Sequence, residues 1–166
     1  MNKAIVTAKP GEPVMTIERN FDAPPEKVFM AMTRKDLVER WWIGPGYSVR
    51  VEELDAKNGG SWKFVQTNAK GDEFNFRGVF HLVKPPTVHE PGLIIQTTEY
   101  EGLPEPDHVG LEKLELIGTE NGTTRMISRG IFLSVEDRDL LVKNGMEGGM
   151  QNTYNKLDEV LKDATF

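Results

Sequence analysis

The sequence has no cysteine, so disulfides, thiolate metal ligands and cysteine nucleophiles are excluded. It has no apolar run near the ~20 residues that span a bilayer, and its opening segment is too short and too mixed to be a signal peptide. Basic residues number 20 against 26 acidic ones, giving a net charge of -6, and they form no cluster that would hold a phosphate backbone. These absences predict a cytoplasmic protein with no membrane span and no nucleic-acid partner.

Motifs for catalysis and metal binding are equally scarce. His81, His89 and His108 are scattered over predicted strands and loops, with no HxH or HExxH spacing. No serine stands in a GxSxG motif, and no glycine-rich phosphate loop precedes a helix. The sequence therefore predicts no metal site and no cofactor, and it identifies no catalytic residue.

One domain is expected from the length and composition. The 166 residues, 38% of them hydrophobic, suffice for a single buried core. Residues 1–13 show little periodicity and contain proline and glycine, which indicates a lead-in segment that can be mobile at its start. Residues 14–166 are expected to form the domain.

The domain is predicted to begin with a strand and two short helices. Met15, Ile17 and Phe21 alternate with polar residues, the period of a strand with one buried face. Pro24–Pro25 ends this strand and begins a helix, because proline is tolerated in the first helical turn. Thr33–Asp36 resembles a capping box, which predicts a second short helix.

Six further strands are predicted from short alternating runs separated by turn signals, which favours a meander of hairpins. These runs lie at Tyr47–Val51, Trp62–Phe64, Phe74–Leu82, Leu93–Tyr100, Leu114–Leu116 and Met126–Phe132. A helical pattern that opens with another capping-box-like sequence, Ser134–Asp137, predicts one long terminal helix to about Lys162. The order of elements indicates an α+β domain in which a curved antiparallel sheet wraps the last helix.

Several short motifs resemble, in order and spacing, those of one family. They are Asp22–Phe29, Arg40–Trp42, Gly44–Pro45, Gly59–Trp62, Gly78 and Gly122–Arg125. Over about residues 15–161 the chain is similar to homologues of the heat-shock-protein-90 ATPase activator, in the START-like superfamily. The resemblance implies a helix-grip fold, in which a seven-stranded antiparallel sheet surrounds a long C-terminal helix, two short helices follow strand 1, and a cavity lies between sheet and helix. Relatives bind or transform apolar molecules such as lipids, sterols and polyketides.

Two departures from the family pattern lie beside the implied cavity. Ile43 is inserted between the two tryptophans and the glycine and proline that usually follow them, and we expect it to reshape the adjoining loop. Met150 stands after Gly149 where relatives often carry tryptophan. A flexible thioether at this position is expected to enlarge or soften the cavity wall.

The residues themselves leave a choice between a ligand site and an ordinary core. Gly145, Gly148 and Gly149 each lower the stability of a helix by ~1 kcal/mol relative to alanine, so some constraint should explain them. They could leave room for a ligand or a kink beside it, allow close helix-to-sheet packing, or mark a helix break. The strand aromatics are explained as well by burial in the core. Trp41 and Trp42 would point about 100° apart on a helix, so one is expected to pack and the other to rim the cavity. The expected cavity lining is Trp41, Trp42, Trp62, Phe64, Phe74, Phe76, Phe80, Gln96, Met126, Ser128, Met146, Gly149, Met150 and Tyr154.

Polar residues in or near the phase of these apolar neighbours include Glu53, Gln96 and Ser128. Each could reach the cavity, although an internal hydrogen bond would explain each of them equally well. The segment from Gly102 to His108 either gates the pocket or simply joins two strands.

Three functions are carried forward as hypotheses. The leading one is the binding of a small apolar or amphipathic molecule between the sheet and the terminal helix. The alternative is an enzyme similar to a polyketide cyclase or a hydrolase, in which an interior polar group such as Glu53 moves a proton. The third is a chaperone ATPase co-factor, but relatives with that activity carry an additional N-terminal domain, for which 166 residues leave no room.

Overall fold

The computed structural model describes residues 2–103 and 108–166, which form eight strands and four helices. The strands are β1 (Ile5–Thr7), β2 (Val14–Phe21), β3 (Tyr47–Leu54), β4 (Ser61–Asn68), β5 (Glu73–Lys84), β6 (Gly92–Tyr100), β7 (Val109–Gly118) and β8 (Thr124–Ile131). The helices are α1 (Pro25–Thr33), α2 (Lys35–Trp41), α3 (Val135–Lys143) and α4 (Met146–Leu161). The α+β class and all seven predicted strands are confirmed.

The eight strands form one antiparallel sheet in the order β1-β2-β8-β7-β6-β5-β4-β3. Strands β3 to β8 are a meander of hairpins, as the turn signals predicted, and β2 pairs with β8. The expectation of seven strands is wrong, because β1 pairs with β2 in the register Ile5↔Glu18 and Thr7↔Thr16. Three residues are too few to show an alternating pattern, and so this strand could not be read from the sequence.

The terminal helical region is divided, and the prediction of a single helix from Ser134 to Lys162 is wrong. Helix α3 ends before Gly145, whose φ of 76° lies in the left-handed region, and α4 begins at the next residue. Glycine occupies this region without steric cost, which is why the break falls here. The predicted start of the region is confirmed, since the Ser134 hydroxyl accepts a hydrogen bond from the backbone N–H of Asp137.

The two short helices after β2 start for different reasons. Pro25 occupies the first turn of α1, as predicted. The capping box expected at Thr33 is wrong, because the Thr33 hydroxyl instead donates to the carbonyl of Phe29 within α1. Helix α2 follows Arg34, which provides no side-chain cap and forms an exposed ion pair with Asp36.

Helix α4 is held against the sheet by Arg19 on β2, which is 2% exposed. Its guanidinium donates to Asp158 at 2.7 Å and to the carbonyl of Tyr154 at 2.9 Å, both on α4. It also donates to the carbonyl of Asn2 at 2.9 Å and lies 4.8 Å from the ring centroid of Phe21. Because these contacts join β2, α4 and the chain before β1, they fix the side of α4 that faces the sheet.

Candidate functional site

The inner face of the sheet is defined by the residues that point toward α4. Ile17, Met126 and Leu116 are buried members of this face on three neighbouring strands. Side chains alternate along a strand, so every second residue from these positions also lies on the inner face. This register places the candidate site residues.

A polar group stands among these apolar side chains. Glu112 on β7 lies two residues before Leu114 and pairs directly with Gln96 on β6. Its carboxylate accepts a hydrogen bond from the Gln96 amide at 2.8 Å and another from the Ser128 hydroxyl at 2.5 Å. Ser128 is 1% exposed, whereas Glu112 and Gln96 are half-buried. We call Gln96, Glu112 and Ser128 the Glu112 group.

Tyr154 brings a phenol from α4 to the same interior. The residue is 8% exposed, and its ring packs edge-on against Phe21 at 5.9 Å. Burial raises the pKa of Tyr154 and the negative charge of Glu112 raises it further, against the opposing charge of Arg19. The Tyr154 hydroxyl makes no hydrogen bond with the part of the chain that the structure describes. It is therefore a protonated donor that is not engaged by those residues.

Aromatic rings cover another part of the inner face. Trp42 lies 5.0 Å from Phe64 and 5.1 Å from Phe76, and Phe76 lies 5.1 Å from Tyr100, measured between ring centroids. We call Trp42, Phe64, Phe76 and Tyr100 the aromatic wall. Phe64 is buried, and the other three stay half-buried although they point inward. Tyr100 lies four positions after Gln96 on β6, so the wall begins about 13 Å from the Glu112 group along the strand.

The adjacent tryptophans lie in different surroundings. Trp41 is buried, and its indole N–H donates to the carbonyl of Ala31 at 2.8 Å. Trp42 follows α2 and joins the aromatic wall. Trp41 therefore packs between α1 and α2, while Trp42 turns toward the sheet.

Trp62 has a buried indole N–H without a hydrogen-bond acceptor among the described residues. The indole lies against Gly78, where an added Cβ would come within 2.6 Å of the ring nitrogen and 1.9 Å of the Thr97 carbonyl. Glycine at this position thus makes room for the tryptophan. An unpaired buried donor costs about 1–3 kcal/mol, which a ligand with an acceptor could offset.

The remaining predicted lining residues are spread over the core and the surface. Phe80 and Met126 are buried in the core, and Phe74 contacts Tyr47 at the edge of the sheet. Met146 and Met150 lie half-buried on α4 against the core. Gly148 and Gly149 are exposed, with no atom within 4 Å of an added Cβ, so close helix-to-sheet packing is not the reason for these glycines.

The expectation that Glu53 reaches the interior is wrong. A bulge between Val51 and Glu53 shifts the strand phase, and Glu53 becomes exposed and accepts a hydrogen bond from the Ser61 hydroxyl. The segment considered as a gate lies partly outside the described residues. At its end His108 contacts Asp137 of α3 at 2.7 Å.

Glu112, Tyr100 and Phe132 belong to the site and were missed. The reading of β7 rested on its two leucines, although Glu112 lies in their phase and could have been found from it. Phe132 follows β8, and its ring lies 3.3 Å from an added Cβ on Gly130, the residue that pairs with Glu112. Glycine at position 130 therefore lets this ring approach the sheet beside the Glu112 group.

Other kinds of site find little support in the described residues. Residues 2–103 and 108–166 contain no group of three or more histidine, aspartate or glutamate side chains placed to hold a metal ion. Among the helices of this same part of the chain, none combines the length and apolarity that a membrane crossing requires.

Solved structures with the same fold come from several bacteria. A crystal structure of a protein from Rhodobacter sphaeroides has a TM-score of 0.83 at 24% identity, covering 96% of this chain and 98% of that one. A solution structure of a protein from Arthrobacter aurescens has a TM-score of 0.82 at 22% identity, with 97% and 92% covered. A crystal structure of a protein from Mycobacterium smegmatis has a TM-score of 0.77 at 19% identity, with 95% and 96% covered. At these identities the likeness shows the fold alone.

The sequence also matches one family model. No curated protein matches the chain. The model described as "Activator of Hsp90 ATPase homolog 1-like protein" matches residues 22–162, which extend from the end of β2 through the whole of α4. The chain belongs to this family of activator of Hsp90 ATPase homolog 1-like proteins.

Proposed function

We propose that the protein binds a small apolar or amphipathic molecule between the inner face of the sheet and α4. The observation that carries this proposal is the Glu112 group, a half-buried carboxylate among apolar side chains, together with a buried Tyr154 whose hydroxyl is not engaged by any described residue. Ligand sites are typically lined by apolar and aromatic side chains, with a few convergent polar groups that fix orientation. Both components are present on this face.

The aromatic wall supports an apolar ligand. Trp42, Phe76 and Tyr100 remain half-buried although each points toward the interior and contacts another ring. Full burial of an aromatic side chain contributes about 1.5–3 kcal/mol of free energy. These three rings are only half-buried, so a molecule that covers them would gain the remaining part. The resemblance to the START-like superfamily agrees with this, because relatives in that superfamily bind or transform apolar molecules.

Binding of decanol, an uncharged amphiphile, tests the proposal. Titration below the solubility limit of decanol is followed by tryptophan fluorescence, since Trp42 lies in the aromatic wall. We expect Met150→Trp, which places an indole on the half-buried side of α4, to weaken binding by filling space. Leu141→Trp is the matched control, because Leu141 is 41% exposed on α3. Absence of saturable binding by the wild-type protein would overturn the proposal.

An enzyme that uses the same site is the second candidate. The specific observation in its favour is that Glu112 can accept a proton while the raised pKa of Tyr154 keeps its phenol protonated, as a general base and a general acid require. A polyketide-cyclase-like or hydrolase-like reaction is the class that such a pair supports. Turnover that is lost in both Glu112→Gln and Tyr154→Phe, while decanol binding persists, would establish catalysis. Retention of turnover in either variant would remove that residue from the mechanism.

A further inference from the structure

Resting on the proposed function, we propose that the polar end of the ligand is an amine, and that the ligand is a cationic amphiphile whose ammonium group binds Glu112. The proposal selects one chemical class from the apolar and amphipathic molecules considered above. It follows from the charge and the hydrogen bonds of the Glu112 carboxylate.

The charge of Glu112 is not balanced by any of the residues that the structure describes. No lysine, arginine or histidine of residues 2–103 and 108–166 lies within 4.0 Å of its carboxylate oxygens. Arg19 is the buried cation of the inner face, and it is already paired with Asp158 at 2.7 Å. The two residues that do contact the carboxylate, Gln96 and Ser128, are neutral. One negative charge therefore remains on this part of the inner face.

The carboxylate also has unused acceptor capacity. An ionised carboxyl group offers about four lone-pair sites on its two oxygens. Gln96 occupies one site on one oxygen, and Ser128 occupies one site on the other. These two donors hold the carboxylate in a fixed orientation and leave each oxygen able to accept again. An ammonium group has three donors and no acceptor, so it matches what remains.

A ligand that excludes water from Glu112 must compensate its charge. Burying an unpaired carboxylate is costly, whereas a charge-assisted hydrogen bond to a cation offsets that cost. A fatty-acid carboxylate would place a like charge beside Glu112. An alcohol would donate one hydrogen bond to the carboxylate but would leave its charge uncompensated. The expected order of affinity is therefore amine, then alcohol, then carboxylate.

A second effect also favours a cation. The net charge of -6 concentrates cationic ligands near the protein. This second effect does not depend on Glu112, and the experiment must separate the two.

Three ligands with the same ten-carbon chain make the test: decylamine, decanol and decanoate. They are titrated by calorimetry at pH 7, below the solubility limit of decanol and below the micellar range of the two charged ligands. We expect the wild-type protein to bind decylamine about ten-fold or more tightly than decanol, and decanoate most weakly. Glu112→Gln should remove the preference for the amine, so that decylamine and decanol bind to within about two-fold of each other. Glu115→Gln is the matched control, because Glu115 lies on the same strand in the opposite phase, and it should retain the wild-type order.

Each outcome decides a different question. If none of the three ligands binds, the proposed function fails. If decanol binds and decylamine binds no more tightly, the amine assignment alone is overturned. It is also overturned if the preference for decylamine survives in Glu112→Gln, because net charge then explains it. If Glu112→Gln does not fold, nuclear Overhauser contacts decide: the methylene next to nitrogen must lie near Gln96 and Ser128 in the wild-type complex, and contacts elsewhere refute the inference.

Discussion

Replacement of Arg19 by methionine should strongly destabilise the protein. The guanidinium is fully buried, and its partner Asp158 keeps 16% exposure. Removal of one partner from a buried ion pair costs about 3–5 kcal/mol, because the other charge is left uncompensated. Water can still reach Asp158 in part, so we expect a loss at the lower end, about 3 kcal/mol. Methionine keeps most of the length of the side chain, so the lost free energy comes mainly from the polar contacts of the guanidinium.

The same loss predicts a change in the melting temperature. For a domain of this length, 1 kcal/mol corresponds to about 2–4 °C, so Arg19→Met should lower Tm by about 6–12 °C. Urea unfolding followed by circular dichroism measures the free energy directly. The matched control is Arg125→Met, whose ion pair with Glu18 is exposed on both sides. Exposed pairs contribute about 0–1 kcal/mol, so this variant should remain close to wild type.

The result that would refute this reasoning is a loss of less than about 1 kcal/mol in Arg19→Met, the range of an exposed pair. Such a result would mean that the contacts of Arg19 with α4 and with Asn2 are replaced by water at little cost. The position of α4 would then depend on apolar packing alone. A double variant that also carries Asp158→Asn should recover part of the loss, because it removes the uncompensated carboxylate.

Two further predictions concern α4. Gly145→Ala should destabilise the protein by about 1–2 kcal/mol, because its φ of 76° is unfavourable for a residue with a Cβ. Gly148→Ala should instead stabilise the protein by about 0.5–1 kcal/mol, because an added Cβ there meets nothing within 4 Å. Urea unfolding measures both changes, and equal effects would contradict a left-handed break at Gly145. The raised pKa of Tyr154 predicts that stability falls as the pH rises above its ordinary value of 10.0, because the unfolded chain releases the proton first. Tyr154→Phe should flatten this slope, and an unchanged slope between pH 9 and pH 11 would exclude Tyr154 as its source.

The strands could be predicted because their apolar residues repeat every second position. Phe74, Phe76 and Phe80 show this period within one strand, and it is a local property of the sequence. The strand β1 could not be found in this way, because it has three residues and depends on pairing with β2. Local patterns therefore sufficed for the long strands but not for an element that is stabilised by its neighbour.

The interior polar residues show a second limit. Gln96 and Ser128 were among the predicted candidates, and the structure joins them through Glu112 on the strand between theirs. Glu112 was missed because the prediction of that strand rested on its leucines alone. The error at Glu53 has a different cause. A single bulged residue reverses the phase of everything beyond it, and no simple periodicity marks that position.

The division of the terminal helix lies between these cases. The three glycines were recognised as a weakness, and a break was one of the explanations. What the sequence did not determine was which glycine takes the left-handed conformation. In the structure this residue is Gly145. Because the helix breaks there, α3 makes contacts separate from those of α4, and Arg138 of α3 donates to the carbonyl of Lys9 at 2.8 Å.

The two outer strands have a consequence for how copies of this protein can associate. At one edge, β1 offers three residues of free backbone, which is too short to template another strand. At the other edge, β3 is bulged and carries Arg50 paired with Glu52 and Glu73. Charge and a bulge both oppose strand addition. A dimer formed by joining two sheets into one is therefore disfavoured at both ends, and stable self-association would have to use another surface.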